Sequence, residues 1–208
     1  MDGLLVDSEP LWFLVESEVF ERLGGGRPWT QAEARSLVGN ALTTSAARMV
    51  EIAGADVDPG VVAAWFVDGM ADHLGRHTPF KPGARRLLAD LAAHEVPTAL
   101  VSSSYRRLVD VVLAQLEHAP SVSVAGDEVA RGKPDPEPYQ RALAQLGVPA
   151  RAAVVIEDSP TGAGAGAAAG CPVVVVPDLA ALPAQHPWTV VDTLEDVDLA
   201  LLDGLVTR

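Results

Sequence analysis

A single cysteine, Cys171, stands among 208 residues, so no intramolecular disulfide can staple the chain, and a reducing compartment is its natural setting. Flanked by Gly170 and Pro172, it reads as a small buried hydrophobe. Positive charge is also scarce. Fifteen Lys and Arg face 28 Asp and Glu, for a net charge of −13, and no basic stripe is long enough to track a duplex or an anionic membrane. Nucleic acid and membrane are therefore not expected as partners, and any anionic ligand must be held locally. The longest uncharged stretch, 159–177, is broken by Pro160, Pro172 and Pro177 and by glycines at 162, 164, 166 and 170. It reads as a loop, a small-residue helix and a strand, not as a membrane span. The opening residues carry neither a basic leader nor a long apolar stretch, so a cytoplasmic location is expected. There is no internal repeat, and the five histidines show no metal-ligand spacing.

The remaining composition is that of a globular chain with a sizeable core, 49% hydrophobic and 21% charged. Its length suits a core domain carrying an insertion. Residues 8–79 read as all helical. Leu11, Val15 and Val19 recur every fourth position, and Asp7 or Ser8 is placed to cap that helix ahead of Pro10. Thr30 and Glu33 have capping-box spacing for a second helix, and further helices fit 41–53 and 59–73. At Pro79-Phe-Lys-Pro-Gly83 the pattern changes. From there helices alternate with β-branched runs at 96–102, 122–125, 153–156, 173–176 and 189–191, which predicts a parallel sheet covered on both faces. The expected architecture is α/β: a Rossmann-like core from 1–7 and 80–208, with an inserted helical domain at 8–79.

In such a sheet ligands bind beyond the carboxyl ends of the strands. After 153–156 come Glu157 and Asp158, adjacent carboxylates of the kind Mg²⁺ prefers. After 96–101 come Ser102, Ser103 and Ser104, hydroxyls and N–H groups ahead of a helix and suited to a phosphate. Lys133 sits before Pro134 and a helix start, able to balance a phosphate, and Asp2-Gly3 opens the chain. Each has a plainer role as turn, cap or surface residue; their conjunction gives them weight.

The strings Asp-Gly-Leu-Leu-Val-Asp-Ser-Glu-Pro-Leu-Trp (2–12), Val-Ser-Ser-Ser (101–104), Gly-Lys-Pro-Asp-Pro (132–136) and Ile-Glu-Asp-Ser-Pro-Thr-Gly (156–162) resemble, in order, the motifs of the haloacid dehalogenase superfamily across essentially the whole chain. The resemblance is to the subgroup of β-phosphoglucomutase and small sugar-phosphate phosphatases, whose helical cap follows the first strand. It implies hydrolysis of a small phosphate ester through an aspartyl-phosphate intermediate. Asp2 would be the acid/base, and its carbonyl would join Glu157 and Asp158 in holding Mg²⁺. Ser102, the N–H of Ser103, and Lys133 would bind the phosphoryl group. Trp12 and Asn40 are the cap positions implied to touch substrate, and a monomer is expected.

The family's opening motif is Asp-x-Asp-Gly, and its first Asp, the nucleophile, would fall just before Met1 together with the central strand that carries it. We therefore expect the native chain to begin upstream of Met1. Without that strand, ladder groups stay unpaired and a groove opens in the core. A phosphomutase reading is disfavoured because Trp12 stands where a histidine is wanted and 39–44 contain no arginine; a catalytically inactive phosphometabolite-binding relative is the other alternative. Gly162-Ala-Gly-Ala-Gly-Ala167 also matches a dinucleotide-binding pattern, but Glu157 and Asp158 intervene with charges that repel a pyrophosphate.

Overall fold

The computed structural model describes residues 1–37, 41–178 and 181–206. The chain forms two compact units, Ser8–His77 on one hand and Met1–Asp7 with the residues from Thr78 onward on the other.

The first unit is all helical: α1 (Glu9–Arg22), α2 (Gln31–Leu37), α3 (Leu42–Ala53) and α4 (Pro59–Arg76). On α4, Val62, Phe66, Met70 and Leu74 recur every fourth residue, and all are 1% exposed or less. That spacing lines them along one stripe. They are joined in the core by Val15, Val19 and Phe20 of α1 and Met49 of α3. Asp58 caps α4 by accepting from the N–H of Gly60 at 2.7 Å, with Pro59 in the first turn. The Thr30–Glu33 capping box forms: the Thr30 N–H donates to Glu33 Oε2 at 3.0 Å, and the Glu33 N–H donates to Thr30 Oγ1 at 3.3 Å. The cap predicted for α1 does not form, because Ser8 occupies the N-cap with αR dihedrals and makes no side-chain cap bond.

The second unit alternates helix and strand: α5 (Ala84–Ala93), β1 (Ala99–Val101), α6 (Arg106–Leu113), β2 (Val122–Val124), α7 (Glu137–Leu146), β3 (Val155–Glu157), α8 (Pro160–Ala168), β4 (Val173–Val175), β5 (Thr189–Val190) and α9 (Leu199–Leu205). Every pairing is parallel, in a Rossmann-like layering. The strands are shorter than the apolar runs predicted, since only the stretches with a ladder partner count as strand. Asp135 does not sit at the N-cap of α7. It stands one residue earlier, but its carboxylate still accepts from the N–H of Glu137 at 2.9 Å.

Among the described residues the strands form two sheets, β1-β2 and β3-β4-β5. Leu100 aligns with Ser123 in the first, and Ile156 with Val174 in the second. A cavity of about 590 Å³ is lined by β1 and β3 and flanked by side chains of α5, α7 and α9, with Met1, Leu4 and Leu5 at its wall. Its lining is overwhelmingly aliphatic. The opening segment is tied to the residues after Thr78: Asp7 N–H donates to Pro79 O at 2.8 Å, and Lys81 N–H to Leu5 O at 3.0 Å.

Candidate active site

The candidate residues gather at the carboxyl ends of β1 and β3. Leaving β1, the chain turns through Ser102–Ser104 before α6. Ser102 is 4% exposed, its N–H donates to Val124 O at 3.0 Å, and its hydroxyl accepts from the N–H of Ser104 at 3.1 Å. The turn is clamped from the end of β2, where Gly126 N–H donates to Ser104 O at 2.9 Å. Gly126 lies so close to the Ser103 carbonyl that a Cβ there would overlap it. Ser104 then reaches across 102 sequence positions, and its hydroxyl donates to Asp2 Oδ2 at 2.6 Å.

Asp2 leads into Gly3, which needs glycine twice over. Its φ is +71°, a region costly for residues with a Cβ, and a Cβ would also meet Asp158 Oδ2 and Asp178 Oδ2. Two carboxylates thus converge on this turn. Asp178 is paired with Lys81, whose Nζ lies 2.6 Å from Asp178 Oδ1 and 4.0 Å from Asp7 Oδ1.

Lys133 and Glu157 form a buried ion pair at 2.5 Å, with side chains 9% and 7% exposed. The Lys133 ammonium also donates to Val101 O at 3.1 Å, and the Tyr139 hydroxyl donates to the same Glu157 oxygen. Burial is the largest single influence and opposes the Glu157 charge, but Lys133, the Met1 ammonium and the Tyr139 hydroxyl together hold the carboxyl below its ordinary value. Burial first, and then Glu157, pushes the Tyr139 hydroxyl well above its usual range, so it stays a donor. The Asp158 carboxyl moves the other way. Burial, followed by repulsion from Glu157, raises it to about 6.

Asp2, Ser102, Ser103, Lys133, Glu157 and Asp158 are therefore brought to neighbouring loops. Among the described residues no three His, Cys, Asp or Glu side chains converge as a metal cluster. Glu157 is turned away toward Lys133 and Tyr139, and the Asp2 carboxylate is engaged by Ser104. The oxygen chemistry still suits Mg²⁺. Asp158 carries a crowded negative charge that a hard cation would relieve, and backbone carbonyls of the Asp2–Gly3 turn lie at hand. Trp12 lies on α1 in the helical unit, with its N–H donating to Ser8 O at 2.9 Å. Asn40 lies outside the described residues. The glycines of the dinucleotide pattern belong to α8, where Gly162 packs so tightly on the Glu157 carboxylate that a Cβ would displace it. Gly162 and Gly166 serve close packing, the latter against Val155, while Gly164 faces open space, and the Glu157 charge beneath Gly162 opposes a pyrophosphate.

Tyr139, Gly126 and the Lys81–Asp178 pair were missed by the sequence reading. Tyr139 gave a faint signal, a hydroxyl-bearing ring six residues after Lys133. Lys81 and Asp178 are 97 positions apart and gave none.

A family model, haloacid dehalogenase-like hydrolase, matches residues 1–176, and the chain belongs to that family. It is 34% identical over 207 residues to a probable pseudouridine-5'-phosphatase of Drosophila melanogaster, covering 94% of this chain and 88% of the relative. Among solved structures, CbbY from Rhodobacter sphaeroides in complex with phosphate superposes with a TM-score of 0.85 at 25% identity, covering 98% of this chain and 96% of that one. A putative β-phosphoglucomutase from Thermotoga maritima gives a TM-score of 0.78 at 27% identity, with 99% and 97% covered.

Proposed function

We propose that this protein is a phosphoric monoester hydrolase acting on a small phosphorylated metabolite, a sugar or sugar-alcohol phosphate, through an aspartyl-phosphate intermediate. The observation that carries the reading is the meeting of four loops: Ser102–Ser104, Lys133, Asp2–Gly3 and Glu157–Asp158 are joined by hydrogen bonds, an ion pair and close packing at one end of the sheets. A phosphoryl group in transfer spreads negative charge over its oxygens, so cationic and N–H donors must surround it. Ser102 and the N–H of Ser103 would hold those oxygens. Lys133, paired with Glu157 and fixed by Val101 O, would neutralise the charge shared with the nucleophile. Asp2 would give a proton to the leaving oxygen as the P–O ester bond breaks, then take one from the water that cleaves the acyl phosphate.

Mg²⁺, held by Asp158 and the Asp2 carbonyl with Glu157 nearby, would supply positive charge against the phosphoryl oxygens. An aspartyl phosphate forms when a carboxylate attacks phosphorus as the P–O ester bond breaks. The cap positions Trp12 and Asn40 would contribute to substrate choice.

The test is release of inorganic phosphate from a panel of pentose, hexose and hexitol phosphates, with and without Mg²⁺. Mg²⁺-dependent release from members of the panel is the expected result. No turnover across the panel would refute the reading.

A further inference from the structure

We infer that Ser104 is a positioning residue for Asp2, setting the orientation in which that carboxyl meets the leaving group. The inference rests on the phosphatase reading and assigns a role to a residue outside the phosphate-binding pair. Three observations carry it. First, the Ser104 hydroxyl donates to Asp2 Oδ2 at 2.6 Å, a short bond between segments 102 positions apart. Second, Ser104 is itself held on both sides, its N–H by the Ser102 hydroxyl and its carbonyl by Gly126 N–H. Gly126 in turn packs so closely on Ser103 that an added Cβ would overlap its carbonyl. The donor is therefore fixed to the end of the sheet and cannot simply follow the carboxylate. Third, Asp2 lies on a short turn, with Leu5 N–H and Val6 N–H both donating to Met1 O at 2.8 and 3.1 Å. A bond from Ser104 to one carboxylate oxygen restricts rotation about the Asp2 side chain.

A group that merely held phosphate would affect every ester alike. A group that aims the proton donor matters most when the departing oxygen is basic and needs the proton, and least when it leaves readily as an anion. The phosphoryl-transfer step gives the leaving oxygen one proton from the Asp2 carboxyl as the P–O bond breaks. Ser104 takes no part in that balance beyond its hydrogen bond.

The experiment measures kcat/KM for a series of substituted phenyl phosphates, from nitrophenyl to methoxyphenyl, in wild type, Ser104→Ala and Ser104→Thr, using the gene's own product. Ser104→Ala should lower kcat/KM about tenfold for the methoxyphenyl ester but less than about twofold for the nitrophenyl ester. Ser104→Thr, which keeps the hydroxyl, should restore the wild-type dependence. In an Asp2→Asn background Ser104→Ala should change the dependence no further. Thermal melts confirm that the variants are folded. A parallel loss across the series, or no loss, with an active wild type overturns the role of Ser104 alone. An inactive wild type overturns the phosphatase reading and this inference with it.

Discussion

Glu16, a residue remote from the proposed chemistry, offers the sharpest physical test of the fold. It lies on α1, 8% exposed, and its Oε2 accepts from the Trp29 indole N–H at 2.9 Å. Trp29 packs against Phe20 with ring centroids 4.9 Å apart, so this bond pins the segment before α2 onto α1. Burial is the main cause that raises the Glu16 carboxyl from 4.5 to about 7; the Trp29 bond opposes it, and Glu9 adds to it. The sign follows from linkage. Below 4.5 the carboxyl is protonated whether the chain is folded or not, and it imposes no penalty. As pH rises toward 7, the unfolded chain releases the proton while the folded chain retains it, so stability falls. Above 7 the folded protein carries a buried charge and the loss is complete. At about 1.4 kcal/mol per pH unit, the displacement amounts to roughly 3.5 kcal/mol as a ceiling.

Glu16→Gln keeps an oxygen to accept from Trp29 and abolishes the titration. Its amide NH₂ brings a cost that is constant with pH, so the quantity to read is the change in the difference between the two proteins. Urea unfolding followed by tryptophan fluorescence at pH 5, 6, 7 and 8.5 supplies it. The variant should gain on wild type by 1–3 kcal/mol between the ends of that range, about what burial of the charge costs. All other carboxylates are common to both proteins and cancel. Two stability profiles that stay parallel across the range would refute the argument that Glu16 is held neutral by burial.

Other perturbations reach the site. Lys133→Met should destabilise by about 3–5 kcal/mol in urea titration, because it strands the Glu157 charge in the interior, and adding Glu157→Gln should recover much of that loss. Gly126→Ala should cost about 1–3 kcal/mol or more, since the backbone of Ser103 blocks the new methyl, with a matching fall in melting temperature. Asp158→Asn should abolish any rise in melting temperature produced by Mg²⁺ and most of the turnover; an unchanged magnesium titration would remove Asp158 from the metal site.

What the sequence made legible follows from the range over which each signal acts. The helices were readable because Val62, Phe66, Met70 and Leu74 repeat at the period of the element they build, and Thr30 and Glu33 bond across a single turn. Strand positions were readable to within a few residues because Val173–Val175 is β-branched throughout. The loops of the site were readable because chemistry demands particular residue types there, and their order resembles a family pattern. Long-range pairing was not readable. Nothing in the spacing of Glu16 and Trp29, or of Lys81 and Asp178, foretells that they meet, since folding alone sets their separation. The same limit explains Glu157. Beside Asp158 it reads as half of a metal pair, yet burial under α8 makes a lone charge there costly, and the nearest compensation is Lys133 with the Tyr139 hydroxyl. A carboxylate so engaged acts first on the lysine, holding its ammonium in place. The adjacent Asp158, pushed up first by burial and then by Glu157, is left as the oxygen donor with the most to gain from a cation.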